Sequence, residues 1–404
     1  MKVCVCGLGL SGRAAAKALR AAGDLVYLLD ERDPDALHEI PADTELVVVS
    51  PGWRPDHPLL RGLTVPVIGE VELAWELGSR ATRWFAVTGT NGKTTTTELL
   101  SAMTGAPAAG NIGTPLVEAV RTEPPMLAVE LSSFQLHWAP SVRPWAGALL
   151  NIAPDHLDWH GSFEAYAAAK SRIWSGNEVS IASVDLPIAR PRNAMTFGPG
   201  GDLRIERGSI VDTAFGHGEL VAVEELGLRG PHNLSNALAA TAMALAAGVP
   251  VGTIVATLRQ FRPGRHRNEV VATSGGVTWV DDSKATNPHA AAASLSAYDR
   301  VVWVAGGLNK GLGFDELVAG ARDRLAGVVL IGTCADEIAE ALARHAPEVP
   351  VHRADAMQTA VEIARGLARP GDTVLLAPAA ASMDMFRDYA ERGDAFAAAA
   401  REMV

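Results

Sequence analysis

The stretch WFAVTGTNGKTTT, residues 84–96, constrains the fold more than any other part of the chain. An apolar run leads into Gly89-Thr90-Asn91-Gly92-Lys93-Thr94, and a helix-forming run follows with Thr95 in its first turn. A strand that hands a glycine turn to a helix start aims backbone N–H groups at a phosphate. Lys93 would neutralise that phosphate, and the Thr94 hydroxyl would suit Mg2+. Such a loop needs a mostly parallel sheet behind it, so an α/β fold is expected. The first glycine of the usual G-x-x-x-x-G-K-T loop is missing, yet the strand–loop–helix order stands.

A second glycine turn lies near the start, in VCVCGLGLSGR, residues 3–13. Gly7-x-Gly9-x-x-Gly12 follows an apolar strand, and a helix is expected over 12–22. Asp30 closes the next apolar run, where a ribose-binding acid is expected. A full dinucleotide domain needs six strands, and the loop at 89–94 arrives too soon for that. The first 83 residues therefore read as half a Rossmann unit that holds one nucleotide diphosphate. A glycine turn that only packs helix on strand would look the same locally.

The rest of the chain organises around these two turns. LVYLL (25–29), LVVVS (46–50) and VPVIG (65–69) are continuous apolar runs, as expected for parallel strands covered on both faces. Beyond the phosphate loop, strands are expected at 127–131 and 147–152, with helices at 162–174 and 233–247. PDHLDWHG, residues 154–161, reads as a loop, and 176–230 as a Gly- and Pro-rich region of short strands. RPGRHR (262–267) reads as a linker and hinge. A hairpin, NEVVAT-SGG-VTWV, and renewed strand–helix alternation then run to the end. The expectation is three α/β domains: an N-terminal Rossmann-like half domain over 1–83, a central P-loop ATPase-like domain over 84–262 and a C-terminal Rossmann-like domain over 263–404.

Composition narrows the function classes. A net charge of −11 argues against non-specific nucleic-acid binding. Cys4 and Cys6 lie two apart on one strand, which suits small buried residues better than a disulfide or a zinc site, and Cys334 stands alone. No run has the length of a membrane span and the chain opens on a strand without a leader pattern, so a cytoplasmic protein without membrane partners is expected.

Several further residues carry chemistry. Glu130 ends an apolar run, where a carboxylate would suit a metal beside the phosphate loop. A solvated strand-end acid would read the same. His156 and His160 invite a zinc reading, but there is no H-E-x-x-H frame, and one histidine near a phosphate-bound metal fits better. Lys170, in EAYAAAKSRIW, reads by itself as a solvated helix lysine. Asn233 and Asn236 open a helix, where they could cap it or hold an adenine. VDDSKATNP and GGLNKG are polar strand exits whose lysines, Lys284 and Lys310, could meet an anionic substrate.

In order, GTNGKTTT, GNIG, ELSSFQL, APDHLDWHGSFEAYAAAKSRI, GPHNLSNALAA, GRHR, DDSKATNP, GGLNKG and APAAASMDMFRDYAERG resemble the motifs of the Mur ligases. The resemblance covers nearly the whole chain, though 176–230 is short for the family. Within it, GLGLSG, SSFQL, DSKATN and ASMDMF are similar to the branch that adds glutamate to UDP-N-acetylmuramoyl-L-alanine. The resemblance implies an ATP-dependent amide ligase in peptidoglycan precursor synthesis, acting as a monomer through an acyl phosphate. The first loop would then hold UDP: Leu10, Ser11 and Gly12 at the diphosphate, Asp30, Arg32, Ser50, Pro51 and Gly52 around the uridine. Asn111 and His156 would meet the muramoyl arm. Lys93, His156 and Lys170 would be catalytic. Gly89 to Thr95, Asn236, Arg267 and Asp282 would bind ATP. Two Mg2+ ions are implied, one on Thr94 and Glu130, the other on His156 and a CO2-derived carbamate on Lys170. Lys284, Thr286, Lys310, Ser382 and Tyr389 would form the glutamate pocket, with Tyr389 where the family leads one to expect Phe. Ligands on separate domains imply domain closure.

Other readings stay open on sequence alone. L-glutamate could replace D-glutamate, and a sister Mur-type or folylpolyglutamate ligase shares much of the pattern. An NAD-dependent dehydrogenase leaves GTNGKT, Glu130 and Lys310 unexplained. A non-catalytic nucleotide-binding regulator would tolerate loss of Lys170.

Overall fold

The computed structural model describes residues 1–228 and 230–403. Its contacts divide the chain into two compact units. The first comprises Met1–Ile152, Trp159–Gly227 and Ser235–Phe261; the second comprises Ala153–Asp158, Leu228–Leu234 and Arg262–Val404.

The first unit holds two sheets. Strands β1 (Lys2–Cys6), β2 (Leu25–Leu29), β3 (Leu46–Val49) and β4 (Val67–Gly69) form a parallel sheet in the order β2-β1-β3-β4. Alternate residues of β1 serve opposite faces, as the pleat demands. Val3 and Val5 pack with Ala15 and Leu19 of the helix Leu10–Ala21, whereas Cys4 and Cys6 pack with Leu29, Val47 and Val49. Both faces are covered, so the run is apolar throughout. The two thiols lie 3.9 Å apart, buried and free, which agrees with the sequence reading.

The larger sheet takes β5 (Arg83–Thr88), β6 (Ala108–Gly110), β7 (Met126–Glu130), β8 (Ala146–Leu149), β9 (Val179–Ser183), β10 (Met195–Phe197), β11 (Leu203–Glu206), β12 (Ser209–Asp212) and β13 (Gly218–Ala222). The order is β13-β12-β11-β10-β9-β8-β5-β7-β6. Its central pairs are parallel, but β11, β12 and β13 run antiparallel, so the sheet is mixed. The reversal from β11 to β12 uses Arg207 and Gly208, both at positive φ, the backbone a two-residue hairpin requires. The short strands expected within 176–230 thus extend the sheet.

The second unit is built on β14 (Glu269–Ser274), β15 (Val277–Asp281), β16 (Val301–Gly306), β17 (Leu325–Ile331), β18 (Val351–Arg353) and β19 (Thr373–Leu376). The order is β14-β15-β19-β16-β17-β18, with only β14 antiparallel to its neighbour. The carboxyl ends of β15, β19 and β16 lie side by side, where open parallel sheets place their ligands.

Three expectations are corrected. PDHLDWHG is not all loop, since Leu157–His160 forms a helical turn. Asn233 and Asn236 do not cap a helix; they lie inside Pro231–Ala246, whose first turn closes on the Gly230 carbonyl. RPGRHR is not wholly a linker, because His266 is buried and bonded to Asp281 at 2.6 Å. No described helix is long and apolar enough to cross a membrane.

Candidate active site

The first glycine turn ends on the helix Leu10–Ala21, which starts without a side-chain cap and without an acid in its first turn. Among the described residues no capping side chain there competes with an anion for the backbone N–H groups. Leu10 is 72% exposed, so apolar surface is also offered at this start. Asp30 braces the turn: its carboxylate accepts from the Leu8 N–H at 2.6 Å and the Arg32 N–H at 3.0 Å. Those bonds hold its pKa below the usual carboxylate value. Ser50 Oγ donates to the Gly7 carbonyl at 2.7 Å, and Trp159 Nε1 donates to the Gly52 carbonyl at 3.2 Å. The Ser50-Pro51-Gly52 turn is thereby fixed beside the glycine turn, while Arg32 is exposed.

The phosphate loop follows β5 and opens the helix Lys93–Thr104. Gly92 sits at φ +84°, and a Cβ there would lie 2.2 Å from Asn236 Oδ1. Only glycine lets the Asn236 amide rest on the loop. Lys93 Nζ donates to the carbonyls of Gly89 at 3.0 Å and Thr90 at 2.9 Å. The Thr90 hydroxyl lies 2.8 Å from the Tyr166 hydroxyl, and Thr94 and Thr95 are buried.

Asn151, just past β8, is a residue the sequence reading missed. Its side chain accepts from the Asn91 N–H at 2.9 Å and donates to the Asn91 carbonyl at 3.1 Å. Its own carbonyl accepts from the Thr90 N–H at 3.0 Å. One asparagine therefore clamps the peptide at the top of the loop. The available signal was its place directly after an apolar run, the same signal that marked Glu130.

Lys170 overturns its bare sequence reading. It is 2% exposed, donates to the Gly89 carbonyl at 2.7 Å and lies 4.8 Å from the centre of the Tyr166 ring. A solvated helix lysine would do none of this. The alanines of FEAYAAAKS let the helix Phe163–Ser171 pack closely enough to bury it.

Glu130, the last residue of β7, pairs in register with Val87 of β5 and so sits beside the entry to the loop. It is 1% exposed. Oε1 accepts from Asn111 Nδ2 at 2.7 Å, while Oε2 is buried without a hydrogen-bond partner. An unpartnered buried carboxylate oxygen is costly, and a hard cation is its natural complement. The donor set thus fits Mg2+. Asn111, expected at the muramoyl arm, orients Glu130 in this structure.

In the second unit, Asp155 is buried. It accepts from the His156 N–H at 2.9 Å and from Asn287 Nδ2 at 3.3 Å, and lies 3.6 Å from Lys310 Nζ. His156 itself is held at φ +53°, a strained backbone for a non-glycine residue. Arg267 stands between two more residues at positive φ, His266 and Asn268. His266 is pinned by Asp281, which also accepts from the Ser283 N–H at 2.9 Å. Burial raises the pKa of Asp281 and pushes the Asp282 carboxyl up to about 6, although Asp282 accepts from the Asn268 N–H. Lys284 Nζ lies 3.7 Å from the centre of the Tyr389 ring, a cation–π contact. Thr286 is half-buried, Ser382 is buried, and Asn287 caps the helix Pro288–Leu295.

The first unit thus gathers Gly89–Thr95, Asn236, Lys170, Asn111 and Glu130 at the strand exits of one sheet. The second gathers Asp282, Lys284, Thr286, Lys310, Ser382 and Tyr389 at those of another. The Mur ligase middle domain matches residues 87–244, and the Mur ligase glutamate ligase domain matches 266–380. A UDP-N-acetylmuramoylalanine–D-glutamate ligase of Frankia casuarinae is 56% identical over 99% of this chain and 94% of its own. The chain belongs to the Mur ligase family. Enzymes of the same name from Streptomyces coelicolor and Mycolicibacterium smegmatis are 48% and 45% identical, over 99% and 100% of this chain and 98% and 97% of theirs. Among solved structures, a UDP-N-acetylmuramate-alanine ligase from Thermotoga maritima aligns over all of both chains, with a TM-score of 0.66 at 19% identity. A pseudomurein peptide ligase type C from Methanothermus fervidus aligns over 93% of this chain and 96% of its own, with a TM-score of 0.61 at 18% identity. At such identities these two establish the α/β Mur ligase fold.

Proposed function

We propose that this Mur ligase joins the amine of D-glutamate to the alanine carboxylate of UDP-N-acetylmuramoyl-L-alanine, with ATP as co-substrate, in cytoplasmic peptidoglycan precursor synthesis. The near-full-length likeness to D-glutamate ligases, at 45% to 56% identity, carries the reading. The two chemically distinct sets of strand exits are what such a reaction needs.

With the Thr90 and Asn91 N–H groups held by Asn151, the remaining backbone N–H groups of the loop cradle the ATP phosphates, and Lys93 exchanges its two carbonyl partners for phosphate oxygens. Phosphoryl transfer to the alanine carboxylate gives ADP and an acyl phosphate. The glutamate amine adds to the acyl carbon, and the tetrahedral intermediate expels phosphate. Thr94 and Glu130 would hold one Mg2+, which neutralises phosphate charge when bound. Within the first unit, a carbamylated Lys170 is assigned as a further metal ligand. A carbamate would keep one N–H donor for the Gly89 carbonyl while adding the oxygen anion a hard cation prefers. Leu10–Gly12 take the UDP diphosphate through backbone N–H groups, and Asn236 takes the adenine. Lys284 and Lys310, with Thr286 and Ser382, match the two carboxylates of glutamate. Lys310 releases Asp155 to do so. The functional division is 1–83 for UDP, 84–262 for ATP and 263–404 for glutamate, in a monomer.

The test is ATP- and Mg2+-dependent phosphate release with UDP-N-acetylmuramoyl-L-alanine, run in parallel with D- and L-glutamate, with the product mass checked. Turnover with D-glutamate alone is expected. Turnover with L-glutamate alone would overturn the substrate, and turnover with neither would overturn the reading.

A further inference from the structure

Arg392 lies in the helix Tyr389–Glu402 and is 1% exposed. Among the described residues no carboxylate stands within hydrogen-bond distance of it. Its donors go to three loops instead. Nε donates to Ser283 Oγ at 3.0 Å and Nη2 to the Ser283 carbonyl at 3.0 Å. Nη1 donates to the Ala380 carbonyl at 3.1 Å and reaches the Gly306 carbonyl at 3.5 Å. These acceptors mark the exits of β15, β19 and β16. The loops that begin there carry Lys284 and Thr286, Ser382, and Lys310. Ser283 Oγ passes its own proton to the Tyr389 carbonyl at 2.7 Å, which ties in the remaining pocket residue. Between β16 and β19, Leu308 and Ala381 exchange two backbone hydrogen bonds. At Gly307 a Cβ would lie 2.1 Å from the Ala381 carbonyl, which only glycine permits, and 3.1 Å from Arg392 Nη1, so the guanidinium packs closely against this turn. Burial pulls the pKa of Arg392 down to about 10. Stability alone would favour an apolar side chain in such a place.

We propose that Arg392 is a positioning residue for the amino-acid site: one buried guanidinium sets the spacing of the three loops that present Lys284, Lys310 and Ser382. The inference rests on the reading of these loops as the glutamate pocket. A dicarboxylate demands two cations at a fixed separation, and backbone carbonyls bonded to one planar fork cannot drift apart independently.

The experiment compares Arg392→Ala, Arg392→Lys and Ser283→Ala in the full chain, with wild type run first. It reads kcat, the KM of each of the three substrates, and thermal stability. Wild-type turnover with D-glutamate tests the underlying reading; the variants test this inference. Arg392→Ala should raise the KM for D-glutamate by roughly 30-fold or more, with the KM values for ATP and the UDP substrate within about 2-fold. Added guanidinium should recover part of the loss. Arg392→Lys should fall in between, because the three donors of an ammonium, gathered on one atom, cannot span the four acceptors that the guanidinium fork reaches, and Ser283→Ala should cost about 3- to 10-fold. An unchanged glutamate KM in a folded Arg392→Ala protein, or equal change in all three KM values, would overturn the inference. If Arg392→Ala does not fold, the other two variants decide, and an unchanged glutamate KM in both overturns it.

Discussion

The cations of the phosphate loop and those of the six-stranded sheet are kept in different company. Lys93 and Lys170 both rest on the Gly89 carbonyl, a neutral acceptor. Lys310 rests beside the Asp155 carboxylate, and Lys284 on the face of Tyr389. A neutral carbonyl gives up the Lys93 ammonium readily to a phosphate, while Lys170 would stay on it through the N–H that a carbamate keeps. A lysine held by a carboxylate admits another carboxylate by exchange of like for like, and a lysine on a ring face keeps its charge half-desolvated and available. The first arrangement suits an anion of high charge. The second suits selection among weaker anions by geometry.

This contrast can be tested by substitution. The largest effect is expected for Lys170→Ala, which should lose nearly all turnover, on the order of 10³-fold. Short carboxylic acids should partly restore it, and full activity in the variant without added acid would remove Lys170 from the chemistry. Next, Lys284→Ala should raise the KM for glutamate by roughly 10- to 100-fold and leave that for ATP near its wild-type value. Equal shifts in both would erase the division of labour between the two sets of lysines. Asn151→Ala should raise the KM for ATP by about 10-fold through loss of the Asn91 clamp, with the KM for glutamate unmoved. Steady-state kinetics with each substrate varied in turn decides both.

The smallest effect on activity is expected at Glu70, and it sharpens the meaning of Glu130. Both are buried carboxylates with an unpartnered Oε2, but Glu70 serves structure, accepting from the Val117 N–H at 2.7 Å. Burial pushes its pKa up to about 7 from an ordinary 4.5. The fold therefore favours the protonated acid. Stability from this group is full below the unfolded value and is lost as pH rises through 4.5 to about 7, by a few kcal/mol at most. Glu70→Gln keeps the acceptor for Val117 and should remove this loss, so urea midpoints should favour the variant at pH 8 and converge with wild type near pH 4. Activity should follow stability only. Glu130→Gln, in contrast, should change the Mg2+ requirement.

The sequence made the strand runs readable because β1, β3 and the central strands are covered on both faces, which forces continuous apolar stretches. The phosphate loop was readable because its chemistry is local to six consecutive residues. Lys170 and Arg392 were not readable from pattern. Each is a charged residue on a helix, and only the packing of distant segments decides that it is buried rather than solvated. The family resemblance singled out Lys170, whereas nothing in the chain singled out Arg392, and only the place of Asn151 directly after an apolar run marked the clamp. The region 176–230 was legible as short strands but not as an antiparallel extension of the sheet, since pairing direction leaves little trace in such short runs. His266 was hidden for a related reason: RPGRHR has the composition of a linker, and its burial depends on Asp281, fifteen residues further on.

The contact between Gly92 and Asn236 bears on inhibition. A methyl group at position 92 would overlap the Asn236 amide and meet a left-handed backbone as well, so residue 92 cannot change alone. A compound gripping both the loop and that amide would face a target with few single-step escape routes. Resistance would have to arise away from this contact, where a substitution can weaken the inhibitor without first breaking the turn.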